Sequence, residues 1–328
     1  MNGGWIKRIS NFRFQISNGV EPFNVVEVSN LDDVNTVKMI LPAPINRFYI
    51  IVKKQYVNIV GKMKAPQYGV HILNGHYIDV SNETTADIFY ETLTQLSKEV
   101  DFIPIQEGSQ LVRTQKIPPR EKLVCLTFDD GYEECFTKIK PVLDVFNIKA
   151  GFFICPNYVE GSPQYIADFL ANRVFLTTLK QPMSWEQIKK LHDEGHLIGS
   201  HTLNHINCKE ADPSVLQHEL ALSKQIIEAK IQAPCDHFAY TYGKIEHFSE
   251  AALKCAEQYY TYIYSQAGHN NYFSYDGRVL NRRHFEGTWK AHEIAYFLNK
   301  KWGFRCVCHL GFVIQKESLF CSILRPTK

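Results

Sequence analysis

From Lys122 onward, short apolar runs alternate with stretches of helical periodicity. LVCLTF is continuously apolar, the pattern of a strand buried on both faces. A helical stretch follows to about Phe146, then the strand AGFFI. A helix is predicted from about Ser184 to Asp193, and HLIGSHT returns to strand. A helix over about Pro213–Lys230, the strand HFAYTY, a helix over about Ser249–Gln258 and the strand YTYIYS come next. A last helix, about Trp289 to Lys301, leads into FRCVCHL. Alternation of this kind predicts a parallel α/β sheet, closed into a barrel rather than left open. In such barrels the loops at the C-terminal ends of the strands carry the chemistry.

The first ~115 residues pattern differently. They hold a strand-like run, Phe48 to Val52, and the sequence VHIL-NG-HYIDV, where Asn74 and Gly75 suit the two-residue turn of a hairpin. Ile88, Phe89, Leu93 and Leu96 predict a helix over about Thr84–Glu99. QEGSQLVRTQKIPPREK, polar with two adjacent prolines, reads as a linker. The expectation is a smaller N-terminal α+β domain over residues 1–115 and a barrel domain over 116–328.

Composition adds little to this picture and removes some readings. Hydrophobic residues make up 45% and charged residues 21%, an ordinary globular balance. A net charge of +2 gives no electrostatic argument for nucleic acid or an acidic membrane surface. The N-terminus, MNGGWIKRISNFRFQIS, lacks the apolar stretch of a signal peptide, and no run of about 18 apolar residues suggests a membrane span. The nine cysteines, an odd number, then read as reduced thiols, and the expected location is cytoplasmic. Cys306 and Cys308, in C-x-C, read as a buried pair on a strand rather than metal ligands.

Two clusters carry candidate chemistry. Asp129, Asp130 and Gly131 follow the strand LVCLTF. Adjacent residues at a strand end can point in different directions, so one carboxylate can bind a cation while its neighbour faces the bound water. D-D-G is also how an ordinary solvated turn reads. His201 and His205, in GSHTLNH, are four apart, which brings both imidazoles to one side if the turn is helical. One carboxylate and two imidazoles leave open positions, the layout of a catalytic rather than a structural metal centre. Zinc is the default expectation, with cobalt, nickel, manganese or iron also suited to two nitrogens and a carboxylate.

LTFDDGYEECFTKIKPVLDVFNIKAGFFI, MSWEQIKKLHDEGHLIGSHTLNH and HFAYTYGK together resemble the three motifs of the NodB-like polysaccharide deacetylases, carbohydrate esterase family 4, in the subgroup that reads F-A-Y-P-Y-G. The resemblance covers roughly Lys122 to Trp302. It implies a distorted (β/α)7 barrel and metal-dependent removal of an acetyl group from an N-acetylated sugar. It casts Asp129 as the general base, with Asp130, His201 and His205 as metal ligands. Tyr242 would offer a backbone N–H to the oxyanion, and Arg282 would orient Asp129. The family's catalytic acid is a late histidine, which places His309 in that role, with Leu310 where an aspartate often follows; His284 is a lesser candidate.

The third motif departs from the family at Ala239 and Thr241, where arginine and proline are common. Losing the proline removes a rigid constraint on the loop that presents Tyr242. Two rival readings stay open: an amidase acting on another C–N bond with the same site, and a sugar-binding module on a decayed enzyme fold. A cytoplasmic enzyme would meet a nucleotide-linked or lipid-linked precursor of a surface glycan more readily than assembled wall polymer.

Overall fold

The computed structural model describes residues 54–267 and 271–299 in full, together with the backbone of three strands nearer the N-terminus. Those three, Phe12–Ile16, Val25–Asn30 and Thr36–Ile40, form an antiparallel sheet of their own. The expected strand Phe48–Val52, Cys306, Cys308 and His309 lie outside the described residues.

The remaining elements belong to a compact unit spanning Ile51–Cys306. Its core is a ring of parallel strands in chain order: β1 (Gly69–Gly75), β2 (Lys122–Phe128), β3 (Gly151–Ile154), β4 (Leu197–Ser200), β5 (His237–Ala239) and β6 (Tyr262–Ser265). One extended segment closes it. Its first half, β7 (Val279–Asn281), runs parallel to β6, and its second half, β8 (Arg283–His284), runs parallel to β1. Arg282 stands between the halves. The result is the distorted seven-stranded α/β barrel expected, thinly paired in places: β4 and β5 share only the Ser200↔Phe238 register.

The ring begins well before residue 116, so the boundary expected there falls inside the barrel. Asn74 and Gly75 do not form a hairpin turn; they end β1, which pairs with β2 along its whole length. Neither takes a left-handed φ. Gly75 is closely packed instead: a Cβ there would sit 3.0 Å from the Phe285 ring and 3.3 Å from the Phe128 ring. The expected linker is in its first half a helix, α2 (Ile105–Arg113), preceded by α1 (Asp87–Leu96).

Strand alternation sorts side chains into two layers. Val70, Ile72, Leu123, Cys125, Phe153, Ala239, Tyr264 and Leu280 form the cluster inside the ring, with Ile105 and Val112 of α2 packed into it. Leu73, Leu126, Phe128, Phe152, Phe238 and Ile263 point outward to the helices. The outer helices include α3 (Lys140–Val145), α4 (Pro163–Asn172), α5 (Trp185–Asp193), α6 (Pro213–Ile231), α7 (Glu250–Ala256) and α8 (Ala291–Leu298). A capping box between Ser184 and Gln187 starts α5, and a left-handed Gln232 ends α6. Helix α4 had no counterpart in the sequence reading. The six cysteines among the described residues are all free, and five are buried. Among the described residues no helix is long and apolar enough to cross a membrane.

Candidate active site

The layer rule places two residues of the site. Thr127 and Asp129 continue the inward series of β2, and Arg282 continues that of β7. Arg282 is fully buried and reaches across the ring end to Asp129. Its two terminal nitrogens donate to the two Asp129 carboxylate oxygens, each at 2.8 Å. Two further Arg282 donors are used as well, Nη1 also to the Thr127 hydroxyl (3.1 Å) and Nε to the Ser265 carbonyl (3.1 Å). The guanidinium carbon lies 5.0 Å from the Phe153 ring centre, an apolar surface suited to a weakly hydrated cation. Neighbouring Arg283 faces the other way and donates to the Phe297 carbonyl. Burial, the largest influence on Asp129, pushes its carboxyl up. The charges of Arg282 and His201 and the Arg282 hydrogen bonds outweigh it and carry the group down to about 2.

Asp130 turns away from Asp129 because its backbone is left-handed, φ +73°, followed by Gly131 at +90°. Such a conformation strains a non-glycine residue and tends to survive at functional sites. The Asp130 carboxyl is buried, and Oδ1 accepts no hydrogen bond. Burial and the adjacent Asp129 charge push it up to about 7.

His201 and His205 converge on that same oxygen, with Nε2 at 3.6 Å and 3.4 Å. The turn between them is not helical, so the i, i+4 spacing does not bring them together through a helix face. Left-handed residues Thr202 (φ +62°) and His205 (φ +55°) fold it back, so the ring centres lie 5.1 Å apart. His201 Nδ1 sits 2.6 Å from the Ala239 carbonyl, which directs its Nε2 into the site. Burial lowers both imidazoles, His205 furthest, so both are neutral at ordinary pH. One ligand atom from each of Asp130, His201 and His205 falls within 4.8 Å of the others. Two neutral nitrogens and an orphaned carboxylate oxygen fit a divalent cation.

The third motif bends over this cluster. Thr241 is fully buried and its hydroxyl donates to the Ile206 carbonyl, tying the loop to the histidine turn where the family's proline would have stiffened it. Tyr242 and Gly243 are left-handed (φ +59° and +64°). The Tyr242 ring stands edge-on to His205 at 4.8 Å, and its N–H donates to no protein acceptor among the described residues.

Another wall of the site was not foreseen. His76 follows β1 directly, and its ring centre lies 5.7 Å from that of His284. Burial pushes it down to about 4, against the pull of Asp129 and Glu286. His284 Nε2 is 2.5 Å from Glu286 Oε1, and both side chains keep about a third of their surface in solvent. The signal for His76 was its place one residue beyond a buried strand, masked by reading Asn74-Gly75 as a turn.

Comparison with known proteins follows the same lines. The model of the polysaccharide deacetylase family matches residues 116–261 of the chain. Peptidoglycan-N-acetylmuramic acid deacetylase PdaA of Bacillus subtilis is 30% identical over 102 residues, 31% of this chain and 30% of that protein. A peptidoglycan-N-acetylglucosamine deacetylase of Bacillus cereus is 25% identical over 122 residues, 37% and 47% of the two chains. The chain thus spans less than half the length of these curated relatives. Among solved structures, IcaB from Ammonifex degensii superposes with a TM-score of 0.56 at 18% identity, over 71% of this chain and 98% of that one. The Streptococcus pyogenes deacetylase PplD gives 0.54 at 18% identity, over 71% and 99%. These likenesses establish the fold.

Proposed function

We propose that the chain is a metal-dependent deacetylase that removes the acetyl group from an N-acetylated sugar of a poly- or oligosaccharide. The observation that carries this reading is the convergence of Asp130, His201 and His205 beside an Asp129 held at both oxygens by Arg282. In this reading Asp130 Oδ1 and the two Nε2 atoms hold the ion, with zinc the first choice for such a donor set. A divalent cation there supplies Lewis acidity and lowers the pKa of water from ~15.7 towards ~7.

The chain's own groups do the rest. Asp129, ionised and fixed in direction by Arg282, accepts the proton of the attacking water. The unused Tyr242 N–H donates to the oxyanion that develops on the acetyl carbonyl. His76 delivers a proton to the departing amine, the role first assigned to His309. The water's proton is the one the amine needs, so passage from Asp129 through His76 to the nitrogen leaves both groups as they began. That route agrees with a His76 held neutral at rest. The His284–Glu286 pair stands behind it as a link to solvent.

The test is acetate release from N-acetylglucosamine oligomers by chelator-stripped protein, before and after zinc, cobalt, nickel or manganese is added. Activity that vanishes on stripping and returns with one metal is expected. Full activity in stripped protein, or none under any metal, would overturn the proposal.

A further inference from the structure

A buried ion pair lies behind the reaction centre, and none of the chemistry above uses it. Glu134 and Lys180 are 6% and 3% exposed, with Lys180 Nζ 2.6 Å from Glu134 Oε2. Removing two charges from water is costly, and apolar residues of similar volume often serve stability as well. The pair's other side-chain hydrogen bonds fall on one short segment. Glu134 Oε1 accepts the Ile78 N–H at 3.2 Å. Lys180 Nζ donates to the Asp79 carbonyl and lies 4.5 Å from the centre of the Tyr77 ring. Next to Glu134, the Cys135 thiol donates to the His76 carbonyl at 3.3 Å. Every residue from His76 to Asp79 is therefore gripped.

The same pair is fastened to the Asp129–Asp130 turn. Glu133 N–H donates to the Gln181 carbonyl at 2.8 Å, and Met183 N–H to the Gly131 carbonyl at 2.9 Å. The Tyr158 hydroxyl holds the Lys180 carbonyl at 2.7 Å. Lys138 also approaches Glu134, at 3.5 Å, but stays 29% exposed and reaches none of residues 76–79.

We infer that the Lys180–Glu134 pair is a positioning device that sets His76 beside Asp129, whose N–H donates to the carbonyl of Gly75, the residue before His76; the inference rests on the reading of His76 as the group that protonates the leaving amine. Such a device touches no substrate. Its effect is confined to reactions in which the leaving group needs a proton. An amine leaving from an N-acetyl sugar needs one, whereas p-nitrophenolate leaving from p-nitrophenyl acetate does not.

The experiment uses the zinc-loaded full chain as wild type, Lys180→Met and the double variant Lys180→Met/Glu134→Leu, with an N-acetylglucosamine oligomer and p-nitrophenyl acetate as substrates. The single variant strands a buried carboxylate and melts at lower temperature; the double variant regains most of that loss. Zinc content stays at one per chain throughout. In the double variant, oligomer turnover remains down by about 100-fold, the scale of a misplaced general acid. Its ester turnover is unchanged. Recovery of oligomer turnover together with melting temperature would show a purely structural pair and overturn the inference, as would equal loss on both substrates. A wild type that cleaves the ester but releases no acetate from any N-acetylated sugar would overturn the proposed function, and this inference with it. If the double variant does not fold, Glu134→Gln decides on the same ratio, with a fall of about tenfold expected and no fall overturning.

Discussion

The two sides of the site differ in how completely their buried polar atoms are satisfied. On the Asp129 side, both carboxylate oxygens, Thr127 and the Ser265 carbonyl together take up four of the five N–H donors of the Arg282 guanidinium. On the other side, Asp130 Oδ1 and His205 Nδ1 are buried with no hydrogen-bond partner. Both sides grow from one turn after β2. A group held in this way is already in its working position and needs nothing more. An unsatisfied cluster is costly by itself, because a buried polar atom without a partner loses its hydration for no return. On the proposed reading, a cation that completes the cluster offsets that cost. On that reading one side is organised by folding, and the other is completed by a ligand.

The largest break in this contrast is His205→Ala. It removes one of three ligands, so bound zinc and acetate release should both fall to background, measured by elemental analysis and turnover. Asp129→Asn acts on the Arg282-paired side alone. Zinc content should hold while kcat drops by about 1,000-fold, since an amide cannot take the proton. Arg282→Met strips the partner from a buried carboxylate and should cost about 3–5 kcal/mol in denaturant unfolding. The sign with pH follows from the depressed Asp129 value. The stabilisation from this pair is fully present above the ordinary carboxylate value and is lost as pH falls through about 2; Arg282→Met should flatten that acid limb.

Zinc addition should act on the unsatisfied side, raising stability by about 2.7 kcal/mol at 100 times Kd, seen as a concentration-dependent Tm. His205→Ala should abolish that rise and Asp129→Asn should keep it. The smallest effect belongs to Thr241→Val. Losing the bond to the Ile206 carbonyl should cost about 1 kcal/mol of stability and loosen the Tyr242 loop, read as a lower kcat with zinc content intact. Equal zinc affinity in Asp129→Asn and His205→Ala would remove the distinction between the two sides.

The legibility of the fold followed the range of the interactions involved. LVCLTF, AGFFI and HLIGS could be read as strands because a strand buried on both faces is apolar along its length. β1 was read as one arm of a hairpin rather than as a strand of the ring, although it is equally buried, because Asn-Gly is the strongest local hairpin signal and nothing nearby in sequence contradicts it. What decides its conformation is the Phe285 and Phe128 rings against Gly75, the first of them two hundred positions away. The expected barrel boundary at 116 moved for the same reason.

The sequence by itself picked out Asp129, Asp130, His201 and His205 as one candidate site, because residue types at strand ends in short motifs carry their own spacing. It also determined the alternation of strand and helix that closes a barrel. Tertiary structure alone decided that Arg282 rather than Arg283 meets Asp129, since that choice depends on which face of β7 turns inward. It alone brought His76, just after the first strand of the ring, beside a turn fifty residues later. Ring closure joins residues through β-strand register, and register is set by long-range packing that no local pattern encodes.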